Sequence, residues 1–288
     1  MFGPKLTEEP FRIHDRELLG TLVNNLVVAL KNALSFEQIT SLNRELQVKN
    51  EELEKTLGEL QAALRKVEIL ESIKANLCKF VPATVTSMIE KSPTSETLDA
   101  GERDLSVMFL DIEGYSRLTE EVGGTEVNNL VEKYFSVFMD AIYTNNGDVM
   151  ETAGDGLMVL FLSDDEKAHA LEAIRAAATI RSQTDRINRE SPALLRPLAV
   201  NIGVASGEAY LGALKFESPT GSRWTYTAHG TLVNIAARIC DKAKGGNIMA
   251  VRNTAERVIE EFPFVSLGSV PLKNISDEVE IFELQQRP

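Results

Sequence analysis

The chain has 288 residues, a formal net charge of −13 and 43% hydrophobic residues. That apolar content supports a sizeable core and excludes wholesale disorder, while the negative balance opposes non-specific binding to nucleic acid or to an anionic membrane surface. Two distant cysteines, Cys78 and Cys240, do not make a disulfide framework, so a cytoplasmic location is the simplest expectation.

No basic start with an apolar core and cleavage site is present, and no signal peptide is expected. Leu18, Leu19, Leu22, Val23, Leu26, Val27, Leu30 and Leu34 recur at helical spacing, predicting a broad-faced helix within residues 1–38. Its most apolar run, LVNNLVVAL, is interrupted by two asparagines. The run is shorter than the ~20 residues of a membrane-crossing helix, so no membrane span is expected.

From residue 39 the apolar stripe narrows. Ile39, Leu46, Leu53, Leu60 and Val67 fit heptad position d, with Asn43, Asn50, Leu57 and Leu64 at a. This predicts a parallel dimeric coiled coil over 39–75, because asparagine at a fixes register and favours two strands. One long surface helix of a monomer is the alternative, but so narrow a stripe has little else to pack against. Near Val67–Leu70 the rhythm slips, a phase break that changes supercoiling. KFVPATVTSMIEK and the polar SPTSETLDAGER then read as a transducer or linker over 76–103.

A domain over 104–288 follows, in which strand and helix patterns alternate. LSVMFLDI is strand-like, and 124–145 is helical with Val127, Leu130, Val131, Tyr134, Phe135 and Phe138 on one side. METAGDGLMVLF predicts a strand pair around Gly154. A helix near 164–188, the strand PLAVNIGVAS, a polar loop into RWTYTA and a helix near 231–244 come next. NIMAV, a helix near 253–261 and the strands FVSLG and VEIFEL complete an α/β fold, helices over a mixed sheet.

Asp111 ends the first strand and Asp155 sits at the tip of the strand pair. Side by side, two such carboxylates can hold divalent cations, which use one or two carboxylates plus substrate phosphates. Backbone N–H groups from Ile112 through Gly114 and Tyr115 to Ser116 can hold phosphate oxygens. Asn234 and Arg238 lie four apart, hence on one helix face; the first can orient a hydroxyl, the second neutralise charge on a transferred phosphoryl group. Lys273 can reach a leaving phosphate. Singly, these read as an ion-pairing arginine, a helix-start asparagine and a solvated lysine; together they are more specific.

FLDIEGYSRL, ETAGDGLMVLF, YTAHGTLVNIAARI and LGSVPLKNIS together resemble, in order, the motifs of the class III nucleotide cyclases, over roughly residues 104–286. The resemblance implies a ferredoxin-like mixed-sheet domain acting as a head-to-tail homodimer. Asp111, the Ile112 carbonyl and Asp155 would bind two divalent cations, Mg²⁺ or Mn²⁺. Asn234 would contact the ribose, Arg238 the transition state and Lys273 the triphosphate of a nucleoside triphosphate substrate. One partner supplies the metal aspartates, the other the base-reading residues with Asn and Arg. Asp155 and Glu151 of one strand pair would thus serve different active sites. The helix and coil resemble the exit of a GAF-type sensor, implying an upstream sensor or regulator.

Adenylyl cyclases of this family typically carry lysine where this chain has Glu151, and aspartate or threonine where it has Thr227; guanylyl cyclases typically carry glutamate at the first. An ionised carboxylate accepts from guanine N1–H and N2–H and leaves adenine N1 unpaired, which favours GTP over ATP. A protonated Glu151 would donate to adenine N1 and keep ATP as the close second. A catalytically silent cyclase-like signalling dimer ranks lower, because both aspartates and Arg238 are present. A diguanylate cyclase lacks a match here, having no counterpart of the Asn–Arg helix.

Overall fold

The computed structural model describes residues 12–91, 100–190 and 197–285. Residues 1–11 of the first helical segment, 92–99 of the linker and 286–288 of the last domain lie outside the described residues. The chain divides into two units, one ending at Leu77 and the other beginning at Cys78.

The first unit is a single helix, α1 (Ile13–Leu77), 65 residues long with no residue buried. It runs without interruption through both expected helical segments and through the Val67–Leu70 phase break. Leu46, Leu53 and Leu60 stand exposed along the expected d stripe. The helix also contains an 18-residue window of mean hydropathy 1.3, apolar and long enough to cross a membrane by length and composition. The sequence expectation of no span weighed only the nine-residue run and missed this wider window.

In the second unit a 3₁₀ turn (Cys78–Phe80) leads into α2 (Ala83–Lys91), then β1 (Gly101–Ile112), α3 (Tyr115–Val122) and α4 (Gly124–Thr144). The hairpin β2 (Gly147–Ala153) and β3 (Gly156–Phe161) is followed by α5 (Glu166–Glu190), β4 (Val200–Ser218) and β5 (Gly221–His229). The chain ends with α6 (Thr231–Lys242), β6 (Ile248–Val251), α7 (Arg252–Val258), β7 (Phe264–Val270) and β8 (Val279–Leu284). The sheet runs β2-β3-β1-β4-β6-β8-β7, with β5 paired to β4. Among the described residues only β4–β6 is parallel; the other pairs are antiparallel.

Alternation along β1 explains how it is buried on both faces. Met108, Leu110 and Ile112 join Tyr134 and Phe138 of α4 and Ile174 and Ile180 of α5 in one cluster. Leu105 and Val107 join Ala236 and Ile239 of α6 in the other. Two faces with separate helical covers make a sandwich, as the α/β reading expects.

One expectation is corrected. The polar loop placed before RWTYTA is instead the far half of β4, which pairs with β5 from Tyr210↔His229 to Ser218↔Gly221. Leu211, Tyr226 and Ala228 at the base of this two-stranded arm are buried, but Leu214, Phe216 and Trp224 further out are exposed, so its outer part lacks the burial signal that marks other strands.

Candidate active site

Asp111 stands opposite Gly156 in the β1–β3 register, which brings Asp155, in the hairpin turn, beside it. Gly154 supplies the left-handed residue of that turn at φ +62°. The alternation that sends Val107 toward α6 sends Asp111 to the same face. Partial burial and the neighbouring Asp155 carboxylate, with a weaker contribution from Asp241, raise the Asp111 pKa to about 6 despite an opposite pull from Lys244.

The strand leaves this point through a pinned turn. Glu113 Oε2 accepts from Gly245 N–H at 2.7 Å and from Asn201 Nδ2 at 3.1 Å, and Asn201 Oδ1 accepts from Gly246 N–H at 3.0 Å. Ile112 buries its side chain, so its contribution to a site is confined to its backbone. Gly114 is left-handed at φ 73° and begins α3, which has no side-chain cap. Tyr115 packs against the core, while Ser116 is exposed in the first turn.

Glu151 reaches the site through a bulge. Val149 pairs Val159, but Glu151, not Met150, pairs Met158. One extra residue reverses the inward and outward alternation. Glu151 therefore shares the face of Met158, the α6 face, and the two border one cavity with Asp111. Thr227 is buried, and its hydroxyl donates to Met158 Sδ at 3.9 Å. Met158 thus links the two expected base-reading residues.

α6 lies close against β4. A Cβ at Gly203 would come within 2.4 Å of Cys240 N and 2.6 Å of Ala236 O. The helix presents Asn234 to solvent and Arg238 to Asp241, Nη1 to Oδ2 at 2.9 Å. Burial pushes the Cys240 thiol up to about 12, and its Sγ–H donates to the Asn201 carbonyl at 3.4 Å, so it is a packing residue. His229 leaves a buried Nε2 without a hydrogen-bond partner among the described residues. Lys273 is exposed between β7 and β8, beside left-handed Asn274.

The structure thus unites Asp111, Asp155 and Glu151 with the C-terminal end of α6. It adds Asp241, Met158, Glu113 and Asn201, which sequence reading missed. Asp241 alone carried a readable signal, standing three residues after Arg238 on the same helix. The shared cavity, lined by Asp111, Glu151, Met158, Cys240 and Asp241 among others, holds ≈ 230 Å³. Ligand pockets typically span about 300–1,000 Å³, so this cavity by itself is smaller than a typical ligand pocket. The donor set fits a hard divalent cation, since two carboxylates forced together are relieved by a cation between them. Among the described residues no group of three or more His, Cys, Asp or Glu forms a closed metal cage; magnesium at a phosphate-bearing substrate does not require one.

A mixed sheet with paired strand-end aspartates beside the end of a helix that carries Asn234 and Arg238 fits a class III nucleotide cyclase domain, a lyase. The family model described as "Adenylate and Guanylate cyclase catalytic domain" matches residues 100–286, and the chain belongs to that family. The chain is 27% identical over 230 residues to "Adenylate cyclase, terminal-differentiation specific" of Dictyostelium discoideum, covering 77% of this chain and 10% of that protein. An uncharacterised Mycobacterium tuberculosis protein is 32% identical over 192 residues, covering 65% of this chain and 32% of the relative. The chain therefore spans a third or less of these two curated relatives.

Among solved structures, the adenylyl cyclase CyaB from P. aeruginosa superposes with a TM-score of 0.61 at 23% identity, covering 66% of this chain and 98% of that one. The guanylyl cyclase Cya2 gives 0.57 at 26%, covering 65% and 94%.

Proposed function

We propose that this chain cyclises a purine nucleoside triphosphate, GTP in preference to ATP, to the 3′,5′-cyclic monophosphate and pyrophosphate. The observation that carries the reading is the Asp111–Gly156 register, which sets the Asp155 carboxylate beside that of Asp111, itself a lining residue of the cavity. Asp111 and Asp155, with the Ile112 carbonyl, would hold two divalent cations. Mg²⁺ or Mn²⁺ bound there supplies activation of the ribose 3′-hydroxyl and charge neutralisation on the phosphates.

The remaining steps belong to side chains. Asn234 orients the ribose, Arg238 offsets charge growing on the α-phosphate during in-line attack, and Lys273 holds the departing pyrophosphate. Glu151, ionised, accepts from guanine N1–H and N2–H. The small size of the Asp111 cavity and the exposed leucine stripe of α1 support a homodimer in which a second copy completes each site. In that arrangement the coil passes an upstream signal to the catalytic pair.

The test is a mass-spectrometric assay of the protein with ATP, GTP, CTP and UTP in Mg²⁺ or Mn²⁺, alongside Asp111→Asn. Aspartate-dependent cyclic GMP as the dominant product is expected. Dominant cyclic AMP would overturn the Glu151 argument, in line with the name of the Dictyostelium relative. No aspartate-dependent product would favour a silent signalling dimer.

A further inference from the structure

The strand that bears Glu151 is held by an element outside the described site. Asp148 is buried in β2, and its carboxylate accepts from Ala83 N–H at 3.0 Å and Thr84 N–H at 2.7 Å. These are the first amides of α2, where orphan donors and the helix dipole favour a negative charge. Two charge-assisted bonds from one carboxylate fix both the position and the direction of α2.

The location gives this clamp a consequence. Asp148 pairs Leu160, Val149 pairs Val159, and the bulge follows at once, so that Glu151 pairs Met158. Met150 is the extra residue. It packs against the α6-side core together with Val85 and Met88 of α2. α2 therefore holds β2 directly through Asp148, just ahead of the bulge, and packs against the same core cluster that receives Met150. A cavity of ≈ 550 Å³, bordered by Pro82, Ala83, Glu90, Asp148 and Glu151, lies between the two elements. Glu151 thus borders α2 on one side and the Asp111 cavity on the other.

A bulge is a register choice, and slipping it by one residue moves a side chain to the opposite face. Without the extra residue, Met150 would oppose Met158 and Glu151 would turn toward the α4–α5 face. We propose that Asp148 is a positioning residue for Glu151: by clamping α2 it holds the Met150 bulge and so sets the selectivity for the purine base. The proposal rests on the reading of Glu151 as the base-recognition residue.

The experiment compares the whole chain with its Asp148→Asn and Asp148→Ala variants and with Ile174→Val, a core control away from the hairpin. Three readouts are taken: amide hydrogen exchange at Ala83 and Thr84, kcat and KM for GTP and ATP, and affinities for non-hydrolysable GTP and ATP analogues. Asp148→Asn is expected to speed exchange at both amides by about tenfold. It should shrink the GTP-to-ATP ratio about fivefold, mostly through KM, while Ile174→Val leaves the ratio alone. Faster exchange with an unchanged ratio would overturn the proposal, and so would unchanged exchange. If the parent chain forms no cyclic product, the cyclase reading fails by itself, and the analogue affinity ratio still decides whether Asp148 acts on Glu151.

Discussion

Arg238 and Asp241 are bound to each other one turn apart on α6, Nη1 to Oδ2 at 2.9 Å, and Asp241 also lines the cavity that Asp111 borders. The pair is exposed, and such pairs contribute only about 0–1 kcal/mol. Arg238 can therefore exchange Asp241 for a phosphate oxygen at little cost. Arg238→Ala should lower kcat by about 10²–10³ with KM close to the parent value. Steady-state kinetics with the preferred triphosphate checks this; a raised KM with intact kcat would assign Arg238 to ground-state binding instead.

Asp111 gives a prediction in pH. Its folded pKa is raised from 3.8 to about 6 in the absence of metal. A raised pKa means the fold favours the protonated form, so this contribution to metal-free stability is present below the unfolded value and is lost as pH rises through about 6. Near neutral pH, Asp111→Asn should therefore melt higher than the parent when both are metal-free. Metal binding runs the other way, since it needs the carboxylate ionised. Calorimetric titration with Mn²⁺ should show affinity rising with pH through that same region in the parent and almost none in Asp111→Asn.

Much of this was readable where burial alternates. The Val127, Tyr134 and Phe138 stripe and the apolar strand around Met108 are buried as their spacing requires, and Asp111 and Asp155 stand out because carboxylates interrupt such strands. The bulge at Met150 was not readable. METAG looks like uninterrupted strand, and only pairing with a partner strand reveals the residue left over. The outer part of the β4–β5 arm was hidden for a related reason: it pairs locally but buries little, so Leu214 and Phe216 carry no inward periodicity. Asn201 and Glu113 were invisible because their bonds to Gly245 and Gly246 join segments far apart in the chain.

Gly203 tests how closely α6 must sit on the sheet. An added methyl would meet Cys240 N at 2.4 Å and Ala236 O at 2.6 Å, both backbone atoms that cannot swing aside. Gly203→Ala must then lift the helix that carries Asn234 and Arg238. Overpacking of this kind costs about 1–3 kcal/mol, occasionally more. Urea unfolding should show that loss, and kcat should fall beyond what the unfolded fraction explains. A variant with parent stability and turnover would show that α6 tolerates displacement.

The last prediction concerns a Ser–His–Asp arrangement with no role in the proposed chemistry. Ser106 Oγ lies 2.8 Å from His169 Nδ1 and 2.6 Å from Ser206 Oγ, and Thr254 Oγ1 donates to Ser206 at 3.0 Å. His169 Nε2 lies 2.9 Å from Asp104 Oδ1, and Arg257 grips Asp104 with two bonds of 2.7 Å. Ser106 and His169 are fully buried, so no substrate reaches the serine, and the cluster instead ties β1, β4, α5 and α7 together. Burial lowers the His169 pKa, against the opposing pull of Asp104. A lowered histidine pKa makes its contribution complete above the unfolded value of about 6.5 and lost progressively as pH falls below it. His169→Ala should cost about 1–3 kcal/mol by emptying a fully buried position and removing the ring's bond to Ser106, and it should flatten the loss of stability on acidification. Denaturant midpoints for parent and variant across that pH range decide it: parallel curves would mean that His169 does not titrate on unfolding.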